Sequence, residues 1–234
     1  MGKYTKEVWI LTFGLMCLGE CVREGATTVG MDDRTVNVKG LAEMEVPANK
    51  VIWPLMYKNL GNDLQALYGD IKKSNQTILE FLKGKGISAE EISVNAPEII
   101  DLKAERYNSN DHTPYRYNVT SVITVTSNKV DLIRNLISEQ GELLKRGIAI
   151  TSGDYRYNVQ YEFTGLNDIK PKMIEEATKN ARQAAEKFAK DSESKLDKIK
   201  HANQGQFSIS DRDANTPYIK KIRVVTSITY SLDD

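Results

Sequence analysis

The chain has 234 residues and two histidines, His112 in a stretch read as a loop and His201 in a predicted strand. A structural zinc site takes four nitrogen or sulfur ligands at short spacing. The two cysteines, Cys17 and Cys21, both stand near the N-terminus, so no zinc set forms and the later chain has no thiol nucleophile. No G-x-S-x-G elbow presents a serine at a strand-to-helix turn. Gly84 and Gly86 follow a predicted helix, whereas a phosphate-binding glycine loop must precede one. Asp211, Asp213 and Asn215 put oxygen ligands at alternate positions, as the start of a calcium loop does. Thr216 then stands where the sharp-turn glycine belongs and Ile222 where the bidentate glutamate belongs, so a solvated hairpin turn is the stronger reading. No catalytic residue, metal ligand or cofactor site is assigned, and the chain is not expected to be an enzyme. The competing reading is a hydrolase or small-molecule binder in which Asp211 or Asp213 meets His201 only after folding.

One short motif recurs. Tyr-Arg-Tyr-Asn-Val occurs at 115–119 and again at 155–159. Both copies fall in the first half of a predicted strand, where alternation sends Tyr117, Val119, Tyr157 and Val159 to one face and Arg116, Asn118, Arg156 and Asn158 to the other. One reading is that paired aromatic and β-branched residues lock strand register. The other is a surface for a partner, because tyrosine and arginine are enriched at interfaces. Tyr115, Arg116, Tyr155 and Arg156 are the interface candidates. If such a strand lies at a sheet edge, its free N–H and C=O groups can pair with another subunit.

The elements that hold these residues follow from periodicity. Alternation over Arg34–Val46 predicts a strand, with Gly40 as a bend or bulge, and KVIWPLMYK (50–58) a second strand that Pro54 pushes toward a sheet edge. Leu60, Leu64, Leu67, Ile71, Ile78 and Leu82 make one stripe of a long helix. Strands are predicted over Ile92–Arg106 and Tyr115–Thr126, then a helix over Lys129–Lys145 capped by Ser127 or Asn128. A strand over Ile148–Thr164 leads to a helix opened by Asp168, with Ile174, Ala177, Ala181, Ala184 or Ala185, and Phe188 as its buried stripe. Strands over Ile199–Ile209 and Lys220–Leu232 close the chain. The order β-β-α-β-β-α-β-α-β-β with hairpins predicts an α+β fold, its antiparallel strands in a twisted sheet with helices on one face.

Lys and Arg balance Asp and Glu at 32 each, so no net field draws the molecule to nucleic acid or an anionic membrane. At 40% apolar content the chain can bury a core as one large domain or two small interlocked ones. The start is distinct: Lys3 and Lys6 precede an apolar run from Val8 to Leu18, and small or polar residues follow, which is the layout of a secretory signal peptide. That run is too short to span a bilayer comfortably. Residues 1–27 are read as this leader or, with Cys17 or Cys21 lipidated, as a lipoprotein leader. Glu20 and Met16 stand where lipoprotein processing prefers a small residue. Asn75-Gln76-Thr77 and Asn118-Val119-Thr120 are formal glycosylation sequons.

The segment ATKNARQAAEKFAKDSESKLDKIKHANQGQFSISD, followed by KKIRVVTSITYSL, resembles the SIMPL-domain family. VNVKGLAEMEVPANKV is similar to that family's opening strand, glycine and proline. The resemblance runs from about Thr35 to Leu232 and delimits a domain at 34–233. Ser194-Lys195-Leu196-Asp197 departs from it, standing where relatives often have a glycine-rich turn. The resemblance implies an α+β domain, an exported protein of the periplasm or outer membrane of a Gram-negative bacterium, self-association into a homo-oligomer, and a link to envelope or oxidative stress. An envelope protein partner fits this setting, with membrane contact only through a leader or lipid anchor. The alternative function is a small-molecule or protein-binding module anchored as a lipoprotein. The family supplies no catalytic residue to carry over.

Export predicts that mass spectrometry of the protein from its native host finds a mature N-terminus between about Gly19 and Thr28. An intact Met1 on a soluble cytosolic species would contradict it, and a diacylglyceryl mass on Cys17 or Cys21 would establish the lipoprotein form.

Overall fold

A computed structural model describes residues 34–104, 114–151 and 154–233. The expected leader at 1–27, Cys17, Cys21, His112 and most of the NSNDHTP turn lie outside the described residues. The fold is α+β with antiparallel strands, as expected, but it holds two sheets where one was predicted. The described residues divide into two compact units, one of 34–42, 174–206 and 225–233, the other of 43–104, 114–151, 154–173 and 207–224.

The larger unit is built on β2 (Lys50–Gly61) and β5 (Tyr117–Ser127), paired antiparallel from Val51 opposite Ser127 to Gly61 opposite Tyr117. Strand alternation puts Val51, Trp53, Leu55 and Tyr57 on one face with Ile123 and Val125. Against that face pack Ile78, Phe81 and Leu82 of α1 (Leu64–Gly84) and Ile133 and Leu136 of α2 (Val130–Glu139), all buried. Burying a large apolar side chain is worth about 1.5–3 kcal/mol. The surface ion pair of Lys85 with Glu139 at 2.7 Å is solvent-screened and adds little, so apolar burial holds the helices down. Asp63 sets where α1 begins, its Oδ1 accepting from Gln65 N at 2.8 Å. A short helix α3 (Gly141–Lys145) buries Leu143 in the same core.

Several strands differ from expectation. Pro97 lies in the break that divides the predicted Ile92–Arg106 strand into β3 (Ile92–Val94) and β4 (Glu98–Asp101), both paired with β5. Of the predicted Ile148–Thr164 strand, only β6 (Gln160–Glu162) forms, beside Lys50–Ile52 of β2. Pro54 lies past that pairing, where β5 is the strand partner that β2 keeps, in line with the edge expected there.

Glu91 fastens the end of β5 to the turn after α1. Its carboxylate accepts from Ser127 Oγ at 2.6 Å, Ser88 N at 2.9 Å, Ser88 Oγ at 3.0 Å and Lys129 Nζ at 3.0 Å. These donors, the Ser127 hydroxyl foremost, hold its pKa down at about 2. Ser127 Oγ also accepts from Lys129 N at 3.0 Å, but this closes the turn before α2: the N-cap is Lys129, without a side-chain cap, and not Ser127 or Asn128 as expected. Lys129 further donates to Gly86 O at 3.2 Å, next to the left-handed turn at φ 91° that glycine permits.

In the smaller unit, β9 (Ile219–Asp233) pairs with β1 (Thr35–Pro47) and with β7 (Lys195–Gln204), while β8 (Ser208–Asp211) pairs with the part of β9 that belongs to the larger unit. The helix α4 (Leu166–Asp191) buries Ala177, Ala181, Ala185 and Ala189, a stripe at four-residue spacing. Phe188, expected in that stripe, is 60% exposed. Of the bend or bulge expected at Gly40 the bend is absent, since β1 continues through it as one strand. A β carbon there would lie 1.8 Å from Ala177 O and 2.5 Å from Ala181 N, so the glycine is needed for close backbone approach.

Two outcomes follow from these contacts. Gly40→Ala forces β1 and α4 apart and is expected to cost about 3 kcal/mol or more, read as a lower urea midpoint at unchanged slope; an unchanged midpoint would show the approach is not needed. Glu91→Gln is expected to cost about 1–3 kcal/mol at neutral pH. Because the folded pKa lies below the unfolded one of about 4.3, the stabilisation is present above that value and is lost as pH falls toward 2. The stability gap between parent and Glu91→Gln should therefore close over that window in denaturation curves taken at successive pH values.

Candidate interaction surface

The acidic loop between β8 and β9 is a closed turn. Asp213 accepts from Asn215 N and Thr216 N, each at 2.9 Å, from Arg212 Nε at 3.1 Å, and from the Thr216 hydroxyl. Led by that hydroxyl, these donors hold its pKa at about 2. Asp211 stands directly opposite Lys220 and pairs with its buried ammonium. His201 lies opposite Thr229 in the other unit. No group of three metal-ligating side chains occurs among the described residues. Each carboxylate with a resolved shift, namely Glu91, Asp101, Asp154, Asp197 and Asp213, is shifted downward. A general acid at neutral pH needs the opposite.

The two Tyr-Arg-Tyr-Asn-Val copies differ in backbone. In the first, Tyr117, Asn118 and Val119 open β5, while Tyr115 and Arg116 lie before it. Asn62 holds that approach, its Oδ1 accepting from Arg116 N at 2.8 Å and its Nδ2 donating to Pro114 O at 3.1 Å. The second copy is not a strand: Tyr155–Tyr157 is a single 3-10 turn. Asp154 drives that turn, since its Oδ1 accepts from Arg156 N at 3.1 Å. The strand-edge route to assembly through these segments is thereby removed. β5 is paired with β2 on one side and with β3 and β4 on the other.

Side-chain geometry nonetheless repeats. Arg116 donates from Nε and Nη2 to Asp101 Oδ2, at 3.1 and 2.9 Å, and its guanidinium lies 5.0 Å from the Tyr117 ring centre. Arg156 donates from Nε to Asp154 Oδ1 at 3.1 Å and from Nη2 to Oδ2 at 2.8 Å, and lies 5.3 Å from the Tyr157 ring centre. In both copies an aspartate and an adjacent tyrosine fix the arginine. The bonded arginine holds each aspartate below the usual carboxylate range, and each arginine is raised in turn. Tyr115 and Tyr155 are left outward, 42% and 83% exposed.

The candidate residues are thus surface residues, and their fixing partners Asp101 and Asp154 were not singled out in the sequence. Asp154 was visible there, two positions before Arg156. Asp101 was not, because sheet register and the turn after β4 bring it to Arg116. At both formal glycosylation sequons the asparagine's amide oxygen is turned into the fold. Asn75 Oδ1 is bonded by Tyr57 Oη at 2.8 Å and Ser121 Oγ at 3.3 Å beneath α1, and Asn118 Oδ1 is buried within β5.

No described helix is long and apolar enough to cross a membrane. One family model matches residues 36–230: SIMPL, described as a protein of unknown function (DUF541). No curated protein matches the chain.

Proposed function

The chain belongs to the SIMPL family, and from that premise we propose an exported cell-envelope protein that acts by association, with copies of itself first, and not by catalysis. The observation that carries this reading is the doubled Asp-Arg-Tyr arrangement, which holds two arginines rigid and leaves Tyr115 and Tyr155 outward. Fixed aromatic and arginine side chains form contacts at little cost in conformational entropy. The carboxylates argue in the same direction, being held as anions by local donors and so unsuited to proton transfer at neutral pH. The export leader and the role in envelope or oxidative stress belong to this proposal as well, resting on the N-terminal sequence and the family resemblance. Screening that finds turnover abolished by Asp213→Ala would overturn the non-enzymatic part.

Light scattering on the purified protein is the test of association. A species heavier than the 26.3 kDa chain is expected at tens of micromolar, weakened by Arg116→Glu with Arg156→Glu, which sets carboxylate against Asp101 and Asp154. A clean monomer defeats self-association. An oligomer indifferent to the double variant keeps self-association but removes these arginines from it.

A further inference from the structure

Away from the repeated motif, three half-buried side chains of the larger unit meet: Arg134, Tyr161 and Tyr218. Arg134 follows the buried Ile133 on α2, and its guanidinium lies 3.6 Å from the centre of the Tyr218 ring. Tyr218 precedes β9 and is tied by its carbonyl, which accepts from Ala48 N at 2.8 Å. Tyr161 of β6 stands opposite Val51, packs on the core, and meets the Tyr218 ring edge-on, centres 6.1 Å apart and planes at 71°.

The guanidinium is held but little used. Arg134 donates from Nη1 to Asp131 at 3.3 Å, and that aspartate side chain is 94% exposed. Its Nε and Nη2, and both tyrosine hydroxyls, have no hydrogen-bond partner among the described residues. In Arg116 and Arg156 the same Nε–Nη2 edge grips an aspartate beside a tyrosine ring. Arg134 repeats the pairing of arginine with tyrosine at closer range, without the carboxylate. That edge is the planar fork that matches two carboxylate oxygens, and stacking on a ring fixes its plane before anything binds. The Arg134 side chain is 37% exposed, so a solute reaches it. Burial raises the Tyr161 phenol above its ordinary pKa while the Arg134 cation draws it back, so the hydroxyl stays protonated as a donor within the cation's electrostatic reach.

We propose that Arg134, with Tyr161 and Tyr218 beside it, is a binding site for a carboxylate. The carboxylate takes the place beside Arg134 that Asp101 and Asp154 take beside Arg116 and Arg156: its oxygens accept from Nε and Nη2, and Tyr161 Oη adds a third hydrogen bond. The group arrives on a free small acid or on the C-terminus of a chain, which present the same chemistry. This site is independent of the self-association proposed above.

Nuclear magnetic resonance on the isotope-labelled full chain tests it, with benzoate as the small acid and acetyl-Ala-Phe as the chain end, against benzamide and the amidated peptide. The Arg134 Nε–H signal, identified by its loss in Arg134→Lys, is expected to move saturably with at least one of the acids, at a dissociation constant of about 1 mM or tighter, and with neither amide. A response to one acid alone identifies the source. Followed at the Tyr161 backbone amide, Arg134→Lys should weaken binding about 10-fold or more, because an ammonium lacks the fork, and Tyr161→Phe about 5-fold. Should Arg134→Lys disturb the fold, Tyr161→Phe decides. No saturable movement with either acid, amides that bind as well as the acids, or folded variants with unchanged affinity overturn the proposal.

Discussion

The larger unit depends on the ladder between β2 and β5, an unbroken run from Val51–Ser127 to Gly61–Tyr117. Side chains alternate along a strand, so this register decides which residues meet the helices, and a one-residue slip would reverse it. In the observed register Trp53 faces Val125 and Leu55 faces Ile123 across the strands, beneath α1 and α2. It also aligns Tyr57 and Ser121, so that both hydroxyls reach the one amide of Asn75. β3 and β4 then add to the outer side of β5, bringing Asp101 opposite Tyr117 and within reach of Arg116. A surface arginine is thus positioned by the same pairing that aligns the core.

The smaller unit answers to a different constraint. At Gly40 no side chain separates β1 from α4, so backbone meets Ala177 O and Ala181 directly, while Val38 packs beside that point on Ala181 and Ala185. Such a contact has little slack, because packed interiors tolerate neither gaps nor added atoms. The same tightness explains why Phe188 lies outside it. With Ala185 and Ala189 already facing the sheet, the position between them turns outward.

The parts of this fold that are local in origin were readable in the chain. The alternation of β1 and the alanine stripe of α4 each follow from spacing within a few residues. Phe188 was misplaced because an apolar side chain counts toward a buried stripe whichever way the helix is rotated, and the rotation is set by Gly40, nearly 150 residues away. The second Tyr-Arg-Tyr-Asn-Val copy was misread for a related reason. Five identical residues make a strand opening beside Asn62 and a 3-10 turn after Asp154, so their flanks decide the backbone. The interface candidates were legible as residue types, but not the aspartates that fix their arginines. One of those aspartates sits on a strand whose register is a long-range property.

One bond bears on what an exposed strand edge offers to another chain. Among the described residues β1 is the last strand on its side of the four-stranded sheet, and edge strands of this length invite cross-β stacking. Asn180 of α4 donates to Leu41 O at 2.8 Å, occupying a main-chain acceptor in the middle of that edge strand. Lys39, Glu43 and Glu45 line its exposed face. A neighbouring chain seeking a strand partner thus meets an engaged carbonyl and a row of charges, which is a form of gatekeeping against amyloid-like polymerisation.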